Sequence, residues 1–393
     1  MNKLILNTGV QGFIEKNWNT DIVSVLLKKP LFEGISQKEL VAQLETKKKC
    51  HKKLPSWFNT PNIYYPNKLN IEQTSSERTA AYKAGLMHGK RLLDLTGGLG
   101  VDCYYFAKKM ETVFHCEMDS NLSEIANHNF QVLGQNNIHC IAGNGLEILV
   151  SIHEKFDWVF VDPSRRDDVK GRVFLLKDCL PNIPEALSMI FQKTSKVLIK
   201  TSPLLDITQG IAELKFVKEI HVVAVQNEVK ELLYFLEHGY SGEVQIKTVN
   251  LLQDREVAFN FTFSDEQQTA VQFGKPEAYL YEPNAAVLKS GGFKSVAASF
   301  GLKKLHQHSH LYTTDKQIDF PGRAFKIERV LPYSKKELKS LSLKKANITT
   351  RNFPLTVAAL RKTHKIKDGG DSYLFFTRTE NDQLIVLDCT KLS

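Results

Sequence analysis

From about residue 76 the chain repeats one rhythm: a short run of nearly continuous apolar residues, then a segment with apolar positions at helical spacing. The apolar runs are RLLDLT (91–96), TVFHCEM (112–118), IHCIAG (138–143), DWVFVD (157–162), KVLIKT (196–201) and EIHVVAV (219–225). Segments such as NLSEIANHNFQVLG (121–134) and LPNIPEALSMIFQ (180–192) separate most of them. Strands apolar on both faces, alternating with helices, predict an α/β fold whose parallel sheet is covered on either side. Three further runs, 231–237, 242–252 and 256–263, have no helices between them and predict antiparallel additions at the sheet edge.

The flanks have a different texture. Residues 13–29 and 36–49 carry apolar positions at helical spacing, and Ser36 with Glu39 fits a capping box. Pro55, Pro61 and Pro66 predict an extended crossing over 54–70. Beyond 270, turn residues punctuate 276–293 and 315–331. A helix is expected over 353–366, and a hairpin over 372–379 and 383–389 follows a loop at Asp368-Gly369-Gly370-Asp371.

Composition narrows the class. A length of 393 residues suggests two or three domains, and 42% hydrophobic residues argue against disorder. No apolar run approaches the roughly 20 residues of a membrane span, and the N-terminus lacks a secretory h-region. Six scattered cysteines without C-x-x-C fit reduced thiols in a cytoplasmic protein. The net charge of +9 is uneven: residues 289–367 hold 18 Lys/Arg and 4 Asp/Glu, a local +14, leaving −5 for the rest. Basic residues interleaved with aromatics there, as in Phe320-Pro321-Gly322-Arg323-Ala324-Phe325-Lys326 and Arg351-Asn352-Phe353-Pro354, suit a phosphate backbone. A solubilising surface is the plainer alternative.

The most informative stretch is Asp94-Leu95-Thr96-Gly97-Gly98-Leu99-Gly100-Val101-Asp102, where an apolar strand ends in an acid and enters a helix through glycines. Such a turn lets backbone approach a ligand at the carboxyl end of a parallel strand. An ordinary strand-to-helix turn is the bland reading. Glu117, ending the next strand, can accept hydrogen bonds from both ribose hydroxyls. Met118 can pack on an adenine face, and Asn144 after the third strand can meet an adenine edge. Dinucleotide binding is disfavoured, since Cys103 stands where the third Gly or Ala of G-x-G-x-x-G belongs. Asp94 is also placed to hold an ammonium or amide rather than a pyrophosphate.

This pattern resembles class I S-adenosylmethionine-dependent methyltransferases, with a Rossmann-like sheet. The resemblance implies Asp94, Thr96, Gly97, Gly98 and Gly100 near the methionine moiety, Glu117 on the ribose and Asn144 near adenine, with Met118 and Asp102 shaping the same pocket. It implies S-adenosylmethionine as cofactor. The fourth strand ends Asp162-Pro163-Ser164-Arg165-Arg166-Asp167, where such enzymes orient the methyl acceptor. Amine methylases of nucleic acids often carry D/N-P-P-Y/F/W there. Asp162 and the Pro163 carbonyl can accept an amine's hydrogen bonds, but Ser164 and Arg165 replace the second proline and the stacking aromatic. Arg165 and Arg166 suit phosphate contacts, or else a salt-bridged loop with Asp167 and Asp168.

Upstream, Ser75 or Ser76 is a helix N-cap candidate, and the resemblance adds closure of the methionine end of the pocket. Lys200-Thr201-Ser202-Pro203 faces the same carboxyl rim.

The two halves together resemble bacterial methyltransferases with a C-terminal THUMP-like domain. The matching stretches are DPSRRD (162–167), EPNAAVLKSGGF (282–293), HSHLYTTD (308–315), DFPGRAFKI (319–327), ITTRNFPLTVAALRK (348–362) and IKDGGDSYLFFTR (366–378). The resemblance implies an N-terminal helical region (1–72), a methyltransferase domain (73–268), a ferredoxin-like module (269–322) and a THUMP-like domain (323–393). THUMP domains are RNA-binding units, so structured RNA, tRNA or rRNA, is the expected partner. Arg166, Arg323, Lys326, Arg351, Arg361 and Lys362 are the candidate contacts. The alternative is a non-catalytic RNA-binding or assembly factor that keeps the fold. His306-x-His308-x-His310 suggests three imidazoles on one strand face. Without an accompanying Cys or carboxylate set, polar substrate contacts are preferred there and no metal is expected.

Overall fold

Two of the apolar runs vanish from solvent: Trp158–Val161 is buried throughout, as is Val197–Thr201, Lys200 included. The computed structural model describes residues 1–27, 29–165 and 175–392. It forms two compact units, Met1–Lys218 with Leu232–Ser241, and Glu219–Glu231 with Gly242–Ser393.

The strands are β1 (Arg91–Asp94), β2 (Thr112–Glu117), β3 (Ile138–Ala142), β4 (Trp158–Val161), β5 (Lys196–Thr201), β6 (Val217–Val225), β7 (Glu228–Glu237), β8 (Gln245–Leu251) and β9 (Glu256–Thr262). In the first unit the order is β7-β5-β4-β1-β2-β3. The five strands β1 to β5 run parallel, and Leu232–Glu237 of β7 runs antiparallel to β5. Helices Glu77–Gly85, Val101–Ala107 and Ser120–Val132 connect or flank these strands and bury Ala80, Phe106 and Phe130. A sheet covered on both faces needs no polar alternation, hence the continuous apolar runs.

Three expectations need correcting. The proline-rich 54–70 is not one extended crossing, because Pro55 opens the helix Pro55–Asn59 and Asn67 caps Lys68–Gln73. Proline at a first helical position gives up an N–H that has no intrahelical partner anyway. Residues 13–29 divide between Thr8–Asn17 and Ile22–Leu26, since Asp21 caps the second helix. The Ser36–Glu39 capping box is present. Finally, β8 runs parallel to β6, while only β9 is antiparallel to β8. Two chain reversals separate β6 from β8, which restores its direction.

The second unit also holds a sheet of β10 (Tyr279–Pro283), β11 (Lys303–Lys304), β12 (Tyr312–Thr314), β13 (Gly322–Pro332), β14 (Asn347–Thr350), β15 (Ser372–Arg378) and β16 (Leu384–Lys391). Its order is β11-β12-β10-β13-β16-β15-β14. The long β13 pairs with β10 through Gly322–Lys326 and with β16 through Phe325–Pro332. Phe375 and Phe376, adjacent on β15, enter two different apolar clusters, one with Leu280 and Phe325, the other with Leu360 and Leu374. Successive strand side chains point to opposite faces, so the sheet has a core on each. The expected helix is Val357–His364, and β15 with β16 forms the expected hairpin.

Candidate functional site

In the first unit the glycine turn follows β1 and leads into Val101–Ala107, with Gly98 and Gly100 at φ +56° and +82°. A Cβ on Gly97 would strike the His115 ring, and one on Gly100 the Phe130 ring. A Cβ on Gly98 would find nothing nearer than the Thr96 oxygen at 3.9 Å, so that side of the turn is open. Gly97 and Gly100 are thus required by what lies beneath the loop. Gly98 presents bare backbone to open space.

The turn is tied down by its neighbours. Gly98 donates its N–H to Glu117 Oε2 at 2.8 Å, and Asp119 donates to Glu117 Oε1 at 2.8 Å. Each Glu117 oxygen keeps capacity for another donor, which matches a ribose diol. Met118, next along, is 73% exposed. Asn144 caps the helix Gly145–Ser151 by accepting Leu146 N–H at 3.0 Å, while its amide nitrogen faces Glu147 at 3.3 Å.

Asp94 is 1% exposed. It accepts hydrogen bonds from Thr96 N–H at 2.8 Å and Cys103 Sγ at 3.1 Å, so it first organises the turn itself. Burial pushes its carboxyl up to about 7, against the opposing pull of the Thr96 N–H. Beneath the turn, burial holds the His115 imidazole below its ordinary value, and its Nε2 lies 3.1 Å from the Gly98 carbonyl.

Asp162 and β4 meet the same loop. Asp162 donates its N–H to Thr96 Oγ1 at 2.7 Å, and its carboxylate is ion-paired with Lys200 at the end of β5. Pro163 is buried and Ser164 exposed; the backbone of Ser164 and Arg165 pairs with Leu180 and Cys179. Arg166, with Asp167 and Asp168, lies outside the described residues.

A buried polar group unmarked in the sequence reading underlies this region. Lys83 is fully buried, 3.2 Å from Asp102 Oδ1 and 3.2 Å from Ser75 Oγ, and Ser75 donates to Asp102 Oδ2 at 2.7 Å. Asp102 is therefore a structural partner of the segment before β1. Ser76, not Ser75, caps the helix Glu77–Gly85. Lys83 shares its helix face with Thr79, Ala80 and Ala84, all buried. A lysine at a core-facing position was the available signal.

In the second unit the predicted basic residues separate into two kinds. Arg323 and Arg351 both grip the buried Glu282: Arg323 Nε lies 2.8 Å from Oε2, and Arg351 Nη2 2.7 Å from Oε1. Arg361 is engaged by the Ala346 carbonyl and Asp368. Lys362 is exposed on its helix, and Lys326 is exposed, 3.5 Å from Glu328. The three histidines do not share a strand face, because residues 306–310 form a turn. His306 lies 3.3 Å from Asp382 and His310 stacks on Phe293 at 3.6 Å, with burial lowering the His310 imidazole to about 4. No group of three or more His, Cys, Asp or Glu among the described residues is placed to hold a metal ion. No helix among them is long and apolar enough to cross a membrane.

Comparison with known proteins completes the picture. Residues 279–321 match a ferredoxin-like domain family, and residues 322–391 match a THUMP domain-like family. A crystal structure of a "putative methyltransferase" from Porphyromonas gingivalis W83 is 32% identical, covers 100% of this chain and 99% of that one, and superposes with a TM-score of 0.91. An rRNA methylase from Streptococcus thermophilus is 15% identical, with a TM-score of 0.30 over 41% of this chain and 94% of that one. A methyltransferase from Geobacter sulfurreducens is 17% identical, with a TM-score of 0.30 over 41% and 78%. No curated protein sequence matches the chain. With a full-length relative at this identity, a Rossmann-like sheet and a THUMP-like C-terminus, the chain belongs to the family of class I methyltransferases that carry a C-terminal THUMP-like domain.

Proposed function

We propose that the protein is an S-adenosylmethionine-dependent methyltransferase of structured RNA, tRNA or rRNA, acting on a base nitrogen. The observation that carries this reading is one chain joining a methyltransferase sheet to a THUMP-like module (322–391) that overlaps a stretch, 289–367, of net charge +14.

The residues present fit the cofactor. The open face of the glycine turn at Gly98 and the spare acceptor capacity of Glu117 suit a nucleoside with a free ribose diol. Thr96, Gly97, Gly98 and Gly100 would border the methionine portion, Met118 and Asn144 the adenine. Bound there, S-adenosylmethionine would supply an electrophilic sulfonium methyl. The chain's own task is alignment, which accounts for much of the acceleration in such transfers. Asp162 and the Pro163 carbonyl would accept hydrogen bonds from the target nitrogen, and Lys200 holds the Asp162 carboxylate in place. Ser164 and Arg165 would border the incoming nucleotide. A target inside a duplex must leave its stack, at a cost of a few kcal/mol.

Comparing nucleosides from RNA of a strain lacking the gene with wild type, by mass spectrometry, tests the proposal. One methylated base is expected to disappear and to return when purified protein and S-adenosylmethionine are added. An unchanged nucleoside profile together with no cofactor binding overturns it. The Asp162–Lys200 ion pair and the Ser164-Arg165 departure favour one second reading, a non-catalytic RNA-binding factor. That reading predicts salt-sensitive RNA retention with no modified nucleoside lost.

A further inference from the structure

Strand β2 grips the glycine turn with three consecutive residues, His115, Cys116 and Glu117. The Cys116 carbonyl accepts Gly97 N–H at 2.7 Å. Glu117 Oε2 accepts Gly98 N–H at 2.8 Å, and His115 Nε2 lies 3.1 Å from the Gly98 carbonyl oxygen. Alternate strand residues share a face, so His115 and Glu117 reach the turn from the same side of β2.

Two of these contacts converge on Gly98, the one glycine of the turn with open space beside it. At φ +56° and without a side chain, Gly98 leaves its flanking peptide groups able to rotate unless something holds them. Glu117 holds the peptide group before its Cα, and His115 the one after. Both polar groups of Gly98 are thereby turned toward the protein, away from the open side.

His115 itself is fully buried and touches no ligand in that open space. Its ring occupies the room that Gly97 leaves, since a Cβ on Gly97 would lie 2.3 Å from Nε2. Phe130 packs edge-on against the ring, with centroids 5.6 Å apart. A carbonyl oxygen only accepts, so Nε2 carries the ring proton. Nδ1 has no hydrogen-bond partner among the described residues, and burial holds the imidazole below its ordinary value. The ring is therefore neutral, with its proton on Nε2. An apolar side chain would fill this space without leaving a polar nitrogen unpaired. What only the imidazole supplies is the bond to Gly98.

We propose that His115 is a positioning residue of the cofactor site, whose Nε2–H holds the Gly98 carbonyl inward and preorganises the turn. The inference rests on the methyltransferase reading for the identity of the ligand. Backbone freedom removed in advance need not be lost on binding, so the effect falls on cofactor affinity rather than on the transfer step.

Two measurements test it. Long-range 1H–15N correlation spectra of the full chain, with His115 assigned from its absence in His115→Gln, should show the Nε2–H tautomer at pH 7. An Nδ1–H or doubly protonated ring overturns the proposal. Calorimetry with S-adenosylmethionine and S-adenosylhomocysteine should show about tenfold weaker binding by His115→Leu. Its kcat at saturating cofactor, on RNA from a strain lacking the gene, should stay within about twofold of wild type. His115→Gln places an amide N–H near the position of Nε2 and should recover most of the affinity, which a loss of packing alone would not allow. Wild-type affinity in His115→Leu, or no recovery in His115→Gln, sinks this inference and leaves the methyltransferase reading standing. A wild-type chain that binds neither cofactor form overturns both.

Discussion

The Thr96 hydroxyl accepts the Asp162 backbone N–H at 2.7 Å, joining the loop after β1 to the loop after β4. The same hydroxyl lies 3.3 Å from Asp94 Oδ1, so it links the buried acid to the strand end proposed to orient the acceptor. Thr96→Val keeps the side-chain shape and removes this link. We expect a stability loss of about 1 kcal/mol and a fall in kcat of roughly tenfold, from misalignment rather than lost affinity. Cofactor Kd from calorimetry, beside single-turnover rates, separates the two. An unchanged kcat would show that the link is dispensable.

Asp94 predicts a pH dependence with a definite sign. Its carboxyl sits at about 7 in the fold against an ordinary value of 3.8, so the folded state holds the proton more tightly than the unfolded chain. Its favourable contribution is complete below about pH 4 and is lost as pH rises towards 7, after which the curve flattens. Asp94→Asn removes this slope, so the variant's Tm relative to wild type should rise between pH 5 and pH 8. If the proposed methionine ammonium settles beside Asp94, it will favour the ionised form. Cofactor affinity should then increase from pH 6 to 8 with proton release, seen by calorimetry in two buffers of different ionisation enthalpy. A pH-independent affinity would separate Asp94 from the ligand.

Lys83 and Asp102 form a buried pair whose members cannot be removed singly without penalty. Lys83→Met leaves the Asp102 carboxylate buried with only Ser75 as its remaining partner in that group, and should cost about 3–5 kcal/mol in denaturant titrations. Adding Asp102→Leu should recover more than half of that loss. No recovery would mean that Ser75 and neighbouring packing, not the unpaired charge, dominate.

The basic residues of the C-terminal unit should divide by experiment as they divide by geometry. Lys326→Ala and Lys362→Ala are expected to leave Tm within about 2 °C. Each should also reduce the salt slope of RNA binding by about one. Arg323→Ala and Arg351→Ala should lower Tm, because each removes a guanidinium from the buried Glu282 carboxylate. Filter binding across a salt series, beside thermal melts, checks both halves. Equal slopes and melts for all four variants would dissolve the distinction.

Local patterning alone made the parallel sheet, the glycine turn, the Ser36 cap and the final hairpin legible. Each depends on residues close in sequence whose periodicity or turn chemistry has few alternatives. The likeness of Asp94–Gly100 and Glu117 to a methyltransferase loop was legible for the same reason. Local patterning could not show that β8 would lie parallel to β6, because strand direction depends on how many reversals intervene. It could not show that Pro55 would start a helix, since proline ends or opens one according to position.

The roles of single polar residues were set at still longer range. Arg323 and Arg351 looked alike as phosphate contacts until the fold placed buried Glu282 between them. Lys83 is fully buried because Asp102 and Ser75, the first of them 19 residues away along the chain, close around its ammonium. The amino-acid sequence by itself determined which segments become strands and helices and which loop has the form of a methyltransferase cofactor site, because those choices are local. The tertiary structure alone decided which charges are spent on buried partners and which remain for a ligand, because that depends on what residues distant along the chain bring within about 3 Å.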